Sequence, residues 1–590
     1  MVRVRPDLPA VERAFDYLVP TALVPRVEVG TIVRVPLHGR SVRGWVLATE
    51  VEPETERSRL LELRRVVGAG PSAEVVDLAR WAAVQWAGSE VSVLAAASAP
   101  NAVTEPVPVA APTVPGPGHT VRVLAWPPAA DRRDMVAGLL AASGSTIVIT
   151  PDLARIDRLV RHLERAGHRV HALHSGRSDA QRTQAWAAAR SGGCVVVGGR
   201  SAVWAPVPDL AAIVVLDEAD EALQEERNPT WHARDVAIER ARRRRVPCTL
   251  VAAIPTAIAV TRADTVARPS RDAERAGWPR LEVVDLREEA PGQALLSDAL
   301  ARALHRTLDR GARALCVLNR RGRARLLACG SCRELVRCEA CGGAVEETET
   351  EGGRALRCRV CTATRPWVCA ACASVRLRAI RVGVHRVRDD LAALLPRATV
   401  LDVDAATEGR PDADVLVGTE AVLHRVPTDR PVGLVALLEA DQELLAPRYR
   451  AAEQAATLLA RAARRLGPRT DDGTLLVQTR VPEHDVLLAV GAADPSLAWL
   501  AEVARRRALG YPPFGGLAQV RGEHDAVERF AAELRTTADA TVLGPVAAGV
   551  GAEVLVRAAD PEVLATVVAP ALRAARPIGR LRIEVDPPRV

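Results

Sequence analysis

The chain has 590 residues and is 48% hydrophobic, enough for several cores. No run reaches eighteen uninterrupted apolar residues, which excludes a membrane span by the usual length rule. Its net charge is +7, and all 79 basic residues are arginine, with no lysine anywhere. That balance permits a nucleic-acid partner, whereas 3% aromatic residues argue against an extended base-stacking platform. The opening MVRVRPDLPA lacks the apolar core of a signal peptide, so a cytoplasmic protein is expected, nucleoid-associated if DNA is its partner.

Residues 1–100 read as β-rich, with GTIVRVPLHGRSVRGWVLATE (30–50) alternating like paired strands and a helical stretch around 74–95. Residues 101–120, NAVTEPVPVAAPTVPGPGHT, are rich in Pro and Gly and almost uncharged, as a linker is. Over 121–280 the short apolar strands TVRVLAW, STIVIT, GCVVVGG, AAIVVLDE and CTLVAA alternate with amphipathic helices such as 152–166. That alternation predicts an α/β lobe on a parallel, doubly wound sheet. A second lobe, 281–515, carries ALCVLNRRG, DVLVGT, LVALLEAD and TLLVQT, and residues 516–590 read as a small α+β domain.

Eight of the eleven cysteines fall in an insertion, 326–378, as the pairs Cys329/Cys332, Cys338/Cys341, Cys358/Cys361 and Cys369/Cys372. A two-residue gap lets both thiolates of a pair face one tetrahedral Zn²⁺ at about 2.3 Å. Eight ligands suffice for two closed, structural Cys₄ sites, and spacing leaves sequential and crossed pairing both open. A disulfide framework is the competing reading, and it fits poorly with Cys194, Cys248 and Cys316 lying in apolar strands.

The stretch IVVLDEADEALQEE (213–226) ends an apolar strand in Asp217 and Glu218, where P-loop ATPases hold Mg²⁺ and orient water. Together with the cysteine insertion in the second lobe, this resembles the PriA family, primosomal proteins that restart bacterial replication at stalled forks. The similarity runs through ERAFDYLVP (12–20), VRVPLHGR (33–40), HALHSGRSDAQRTQAW (171–186), VVVGGRSAVWAPVPDL (195–210), WHARDVAIERA (231–241), LNRRGRARLLACGSC (318–332), VPEHDVLLAV (481–490), GYPPF (510–514), VLGPV (542–546) and IEVDP (583–587).

The resemblance implies two RecA-like helicase lobes, a double-zinc insertion in the second, an N-terminal domain that binds DNA 3′ ends, and a small C-terminal domain. It implies crossed zinc pairing, with Cys329, Cys332, Cys369 and Cys372 at one ion and Cys338, Cys341, Cys358 and Cys361 at the other. It implies a 3′-end pocket formed by Phe15, Asp16, Tyr17, Gly39 and Arg64, where Asp16 accepts from the terminal hydroxyl and Tyr17 stacks on the base; the competing reading makes Phe15 and Tyr17 core residues at a strand end. The implied partners are forks, D-loops and 3′ ends, primosome components, the replicative helicase and its loader, and single-stranded-DNA-binding protein. The family commonly has a winged-helix module between its N-terminal domain and first lobe; here the linker joins the two directly.

The helicase motifs depart from the family pattern. A phosphate cradle aims successive backbone N–H groups inward and depends on glycine. LAWPPAADRRDMVAGLL (124–140) puts Trp126, Ala129 and Asp131 at the glycine positions, and Pro127 and Pro128 have no N–H. Arg132 stands for the lysine and Arg133 for the hydroxyl that ligates Mg²⁺. Losing three charge-assisted hydrogen bonds removes about 4–9 kcal/mol of phosphate binding. The Ser-Ala-Thr coupling segment aligns with Ala252–Ile254. In the arginine-finger segment RAARRLGP (461–468), Arg461 replaces a glutamine, Arg465 stands for the first arginine and Pro468 replaces the second. Arg132, Asp217, Glu218 and Arg465 are therefore read as a vestigial nucleotide site without ATP or Mg²⁺, in which Asp217 and Glu218 cap the next helix or pair with Arg132 or Arg133.

RARRRR (240–245) reads as the solvated end of a helix, His174 and His232 as structural, and Trp231 as core. Arg320 and Arg321 have two equal readings, a DNA-backbone contact or an inter-lobe ion pair. The sum is a PriA-like fork-binding scaffold that helps load the replicative helicase and lacks ATPase and helicase activity. Alternatives are an active ATP-dependent 3′→5′ helicase with a divergent site, and a zinc-dependent interaction protein that has left DNA.

Overall fold

The computed structural model describes the chain except residues 10, 12, 55, 105–117, 290–294, 319–326, 341, 351–352, 359–362, 380–383, 405 and 426–428. Most of the linker, Arg320, Arg321, Cys341 and Cys361 thus lie outside the described residues.

The N-terminal domain is an antiparallel sheet in the order Phe15–Tyr17, Val2–Pro6, Arg40–Thr49, Ile32–Leu37, Arg65–Gly68. Ile32–Leu37 and Arg40–Thr49 pair as a hairpin, Leu37 opposite Arg40. Its two-residue turn, His38 and Gly39, has positive φ at both positions, 48° and 76°, which suits a strand-joining turn. The helical stretch divides into Ala73–Gln85 and Glu90–Ala97. The break falls at Ala87, whose φ of 46° is left-handed, and at Gly88, where a Cβ would sit 2.4 Å from Pro229 of lobe 1. Apolar periodicity continues across the break, so the sequence pattern alone did not reveal it.

Lobe 1 is an all-parallel sheet in the order Thr265–Ala267, Thr120–Ala125, Pro247–Ala252, Leu210–Leu216, Ser145–Ile149, Val195–Gly198, Val170–Leu173. Its central strands are runs of Val and Ile buried on both faces, because helices cover both sides. Leu153–Arg165 packs through Ile156, Leu159, Val160 and Leu163, a single stripe at helical spacing. Lobe 2 repeats the design in the order Arg280–Asp285, Thr474–Thr479, Val432–Leu437, Arg313–Val317, Val415–Gly418, Val400–Val403, again all parallel. Two parallel α/β lobes thus follow one another, as the strand alternation predicts.

The cysteine insertion leaves lobe 2 after Arg313–Val317 and contains two small antiparallel sheets, Leu327–Cys329 with Leu377–Ala379, and Val345–Thr350, Gly353–Cys358 and Thr364–Pro366. The C-terminal domain is a four-stranded antiparallel sheet, Ala540–Ala548, Gly551–Ala558, Gly516–Gly522, Leu581–Val585, with helices His524–Arg535 and Pro561–Ala575. One buried apolar cluster runs from Trp45 and Leu78 through Ile147 and Trp204 to Phe530 and Val568, joining the N-terminal domain, lobe 1 and the C-terminal domain. Among the described residues, no helix is long and apolar enough to cross a membrane.

Candidate functional site

The strand Leu210–Leu216 delivers Asp217 to the cleft between the lobes. Asp217 turns the chain at φ 51°, a left-handed conformation that Asp tolerates better than most residues. Arg132 donates to its Oδ2 at 2.7 Å. From lobe 2, Arg464 forks onto both oxygens at 2.6 and 2.9 Å and also reaches the Pro128 carbonyl at 3.3 Å. Burial opposes ionisation, yet the two guanidiniums hold the Asp217 carboxyl well below the usual carboxylate range. Burial and the nearby Arg464 in turn lower Arg132. Both carboxylate oxygens are thus taken by cations of the chain itself.

Glu218 is fully buried. It accepts from the Thr256 N–H at 2.7 Å, the Thr256 hydroxyl at 2.9 Å and Arg234 at 3.1 Å. Burial raises its pKa, partly offset by Arg234. Several expectations change here. Neither acid caps the next helical turn; Asp220 does, accepting from Ala222 N–H at 2.9 Å. Arg133 pairs with Asp131 at 2.6 Å, two residues away, and not with Asp217. It is Arg464, and not its neighbour Arg465, that meets Asp217. The reason is helix phase. On Ala451–Leu466, Glu453 and Arg464 are eleven positions apart and lie within about 20° of each other around the axis, whereas Arg465 is about 100° beyond Arg464. Glu453 accepts from Ala257 N–H at 2.7 Å and Arg461 pairs with Asp220 at 2.6 Å. The eleven-residue spacing of Glu453 and Arg464 was the available signal. Thr256, two positions beyond Ile254, supplies a hydroxyl that Ala252–Ile254 lacks.

In the N-terminal domain, Phe15, Asp16 and Tyr17 form an edge strand, Gly39 lies in the hairpin turn and Arg64 precedes the strand Arg65–Gly68 at the other edge. Arg64 N–H donates to the Arg34 carbonyl at 2.9 Å. Asp16 is forked by Arg3 at 2.8 and 3.1 Å and accepts from Glu54 N–H at 3.1 Å. The Arg3 hydrogen bonds keep its carboxyl below the ordinary range. Arg13 covers the Phe15 ring at 4.6 Å. Tyr17 corrects the expectation of base stacking: its ring is buried with Val2, Val4 and Val35, and its hydroxyl donates to the Pro36 carbonyl at 3.1 Å. Gly39 opens to free space, with nothing within 4 Å of an added Cβ.

In the insertion, the thiols of Cys329, Cys332, Cys369 and Cys372 converge with all sulfurs within 4.8 Å of one another. The Cys329–Cys372 and Cys332–Cys369 separations are both 3.5 Å. A tetrahedron of Zn–S bonds about 2.3 Å long has S–S edges of about 3.8 Å, so this donor set fits a metal ion. The outer pairs come together, which the spacing could not decide. The N–H groups of Cys329, Cys338, Cys358 and Cys369 each donate to the carbonyl five residues on, at 2.8–2.9 Å. Four turns therefore share one hydrogen bond, although Cys341 and Cys361 fall outside the described residues.

Of the remaining candidates, His174 and His232 each accept a backbone N–H through Nδ1, from Gly176 and Arg234. Trp231 is core, edge-on to Trp204 at 5.3 Å. The run 240–245 closes the helix Ala233–Arg244 as expected, except for Arg240. That side chain is fully buried and pairs with Glu74 of the N-terminal domain at 3.0 Å, an interface role that composition concealed.

Residues 3–99 match a family model described as the 3′DNA-binding domain, and residues 507–588 one described as the primosomal protein N C-terminal domain. The chain is 32% identical to the probable replication restart protein PriA of Mycobacterium leprae, covering 92% of this chain and 90% of that one. It is 30% identical to the replication restart protein PriA of Bacillus subtilis, over 69% of this chain and 54% of that protein. The match thus spans about half the Bacillus protein's length. A structure of RecG bound to a three-way DNA junction aligns over 66% of this chain and 46% of that one at 11% identity, with a TM-score of 0.35, too low to add to the topology.

Proposed function

The chain belongs to the PriA family of replication restart proteins, and from that premise we propose that it is a DNA-binding restart scaffold that recognises forks and D-loops without hydrolysing ATP. The observation that carries this reading is Asp217, whose two oxygens are engaged by Arg132 and Arg464 in the cleft. A magnesium-bound triphosphate needs that carboxylate free for the metal and a basic residue free for the phosphates. Here the basic residue at the cradle and an arginine of lobe 2 neutralise the acid instead. Pro127 and Pro128 offer no N–H to a phosphate. The site residues therefore do not fit Mg²⁺ with nucleotide, and no hydrolytic step is derived through them.

DNA recognition falls to the domain at 3–99, where Phe15, Asp16, Gly39 and Arg64 are the candidate contacts for a 3′ end, Asp16 with one lone-pair position to spare. Binding through arginine to phosphate releases counterions, so affinity should fall by orders of magnitude between about 50 and 200 mM salt. Two structural Zn²⁺ ions, at Cys329, Cys332, Cys369 and Cys372 and at Cys338, Cys341, Cys358 and Cys361, would hold the insertion together as a platform for protein partners, among them the replicative helicase, its loader and single-stranded-DNA-binding protein. Closed Cys₄ sites leave no coordination position for chemistry.

The test is an ATPase assay with forked DNA. We expect no DNA-stimulated turnover; turnover that Asp217→Asn abolishes would establish an active helicase instead. Equal affinity for forks, 3′ ends and plain duplex would favour the protein-interaction reading.

A further inference from the structure

Lobe 2 is attached differently from the other parts of the chain. Among the described residues, the apolar cluster that joins the N-terminal domain, lobe 1 and the C-terminal domain contains none from lobe 2. Lobe 2 meets lobe 1 through a small apolar contact at Ala253, Ile254 and Trp278, and through polar groups. These include the Asp217–Arg464 and Asp220–Arg461 pairs of the cleft. A separate set joins Arg268 to Asp494 at 2.8 Å, and Arg271 to the Ala492 and Ala493 carbonyls at 2.9 and 2.7 Å. An interface of that kind ordinarily lets two domains rotate about a hinge.

The last strand of the C-terminal sheet, Leu581–Val585, and the residues after it lie against both lobes. The strand is at the sheet's edge, and lobe 1 covers it. Asn228 donates to the Ile583 carbonyl at 3.3 Å, and Arg582 donates to the Glu226 carbonyl at 3.1 Å. At Asp586 the chain turns with φ 51°. The Asp586 carboxylate is gripped from lobe 2 by the Tyr449 hydroxyl and by Arg450. Its carbonyl accepts from Gln224 of lobe 1 at 3.4 Å. Three bodies then meet at Glu221 of lobe 1, which accepts from Gln454 of lobe 2 at 2.5 Å and from Arg589 at 3.1 Å. Gln454 also donates to the Pro588 carbonyl at 2.9 Å, and the Tyr449 N–H to a Val590 backbone oxygen at 3.1 Å.

We infer that residues 582–590 form a clamp that holds lobe 2 at one spacing from lobe 1, so that the two lobes move as one body with the N-terminal and C-terminal domains. The C-terminal domain is already fixed to lobe 1 by the shared apolar cluster. Each contact it adds to lobe 2 is therefore intramolecular and forms at a high effective concentration. Opening the cleft has to break the grip on Asp586, the junction at Glu221 and the cleft pairs together. A domain-closure motor alternates between two spacings of its lobes, and a chain held in this way keeps one. The inference goes beyond the restart scaffold and does not rest on it, because the clamp holds the lobes whether or not DNA binds.

The experiment is amide hydrogen exchange on the full chain, read by mass spectrometry. The reporters are Tyr449 and the helix Ala257–Arg262, whose Ala257 N–H is held from lobe 2 by Glu453. The strand Gly551–Ala558 is the control within the C-terminal domain. Asp586→Ala removes the anchor; Gln454→Ala combined with Arg589→Gln removes the junction without leaving a buried charge unpaired. Each should speed exchange at both reporters about tenfold and leave the control at the parent rate. Parent rates at the reporters in both variants would overturn the clamp. If Asp586→Ala also speeds the control, the C-terminal domain has loosened, and the double variant decides by the same two readings. Small-angle scattering of the parent chain should fit one lobe spacing with and without magnesium adenylyl imidodiphosphate. A profile that requires two spacings would overturn the clamp as well, and leaves the DNA-binding reading standing.

Discussion

The interlobe cleft and the cysteine insertion are both built from a few polar side chains brought together from distant parts of the chain, and they differ in sign. In the cleft, opposite charges converge: Asp217 with Arg132 and Arg464. In the insertion, like groups converge: four thiols with sulfurs within 4.8 Å. A set of groups that satisfies itself needs no ligand, and one that would repel itself when ionised is stable only around a cation. The cleft therefore reads as closed and the insertion as a metal site, whatever ancestry each motif advertises.

The largest effect that would test this contrast is on the insertion. Cys369→Ser should cut bound zinc by one ion per chain, read by a colorimetric chelator, and unfold that end of the module, since structural zinc supplies about 10–16 kcal/mol. Unchanged metal content would break the comparison outright. Next comes Asp217→Asn, which leaves Arg132 and Arg464 facing each other without a counter-charge. It should destabilise the chain by about 3–5 kcal/mol in denaturant unfolding, whereas a cleft built for phosphate and metal would tolerate the change.

A smaller effect concerns Glu439, which is buried near Arg480 in lobe 2. Arg480 pairs with Asp441 at 3.1 Å, so Glu439 is left with Gln442 as its hydrogen-bond donor. Burial, with Asp441 adding to it and Arg480 opposing, pushes Glu439 up to about 7. A folded pKa raised above the unfolded value gives stability that is full below the ordinary glutamate range and lost as pH rises through about 7. Glu439→Gln should thus gain about 1–3 kcal/mol over the parent chain at pH 8 and little at pH 4, measured by thermal unfolding across pH. The smallest effect is the control: Arg465→Gln should cost less than about 1 kcal/mol, where Arg464→Gln costs several, because only Arg464 completes the buried pair.

Much of the architecture was legible because its signals are local. Strand and helix periodicity laid out two parallel α/β lobes, although the edge strands Arg280–Asp285 and Val400–Val403, which mix charged with apolar residues, did not stand out. The CxxC gaps announced metal because two residues is the spacing that faces two thiolates one way. The site was less legible. LDEAD and the lysine-free loop singled out Asp217 as a candidate for phosphate chemistry, but not its partners in the cleft.

What the sequence by itself determined is therefore the alternation of strands and helices in two lobes, the clustering of the cysteine pairs and the absence of glycine and lysine from 126–133, all properties of neighbouring residues. Tertiary structure decided that Arg464 and not Arg465 meets an aspartate 247 residues away, that Cys329 joins Cys372 across the insertion, that Tyr17 is core, and that Glu221, Gln454 and Arg589 share one junction. Each of these turns on helix phase or on distances between segments far apart in the chain, and periodicity carries no record of either.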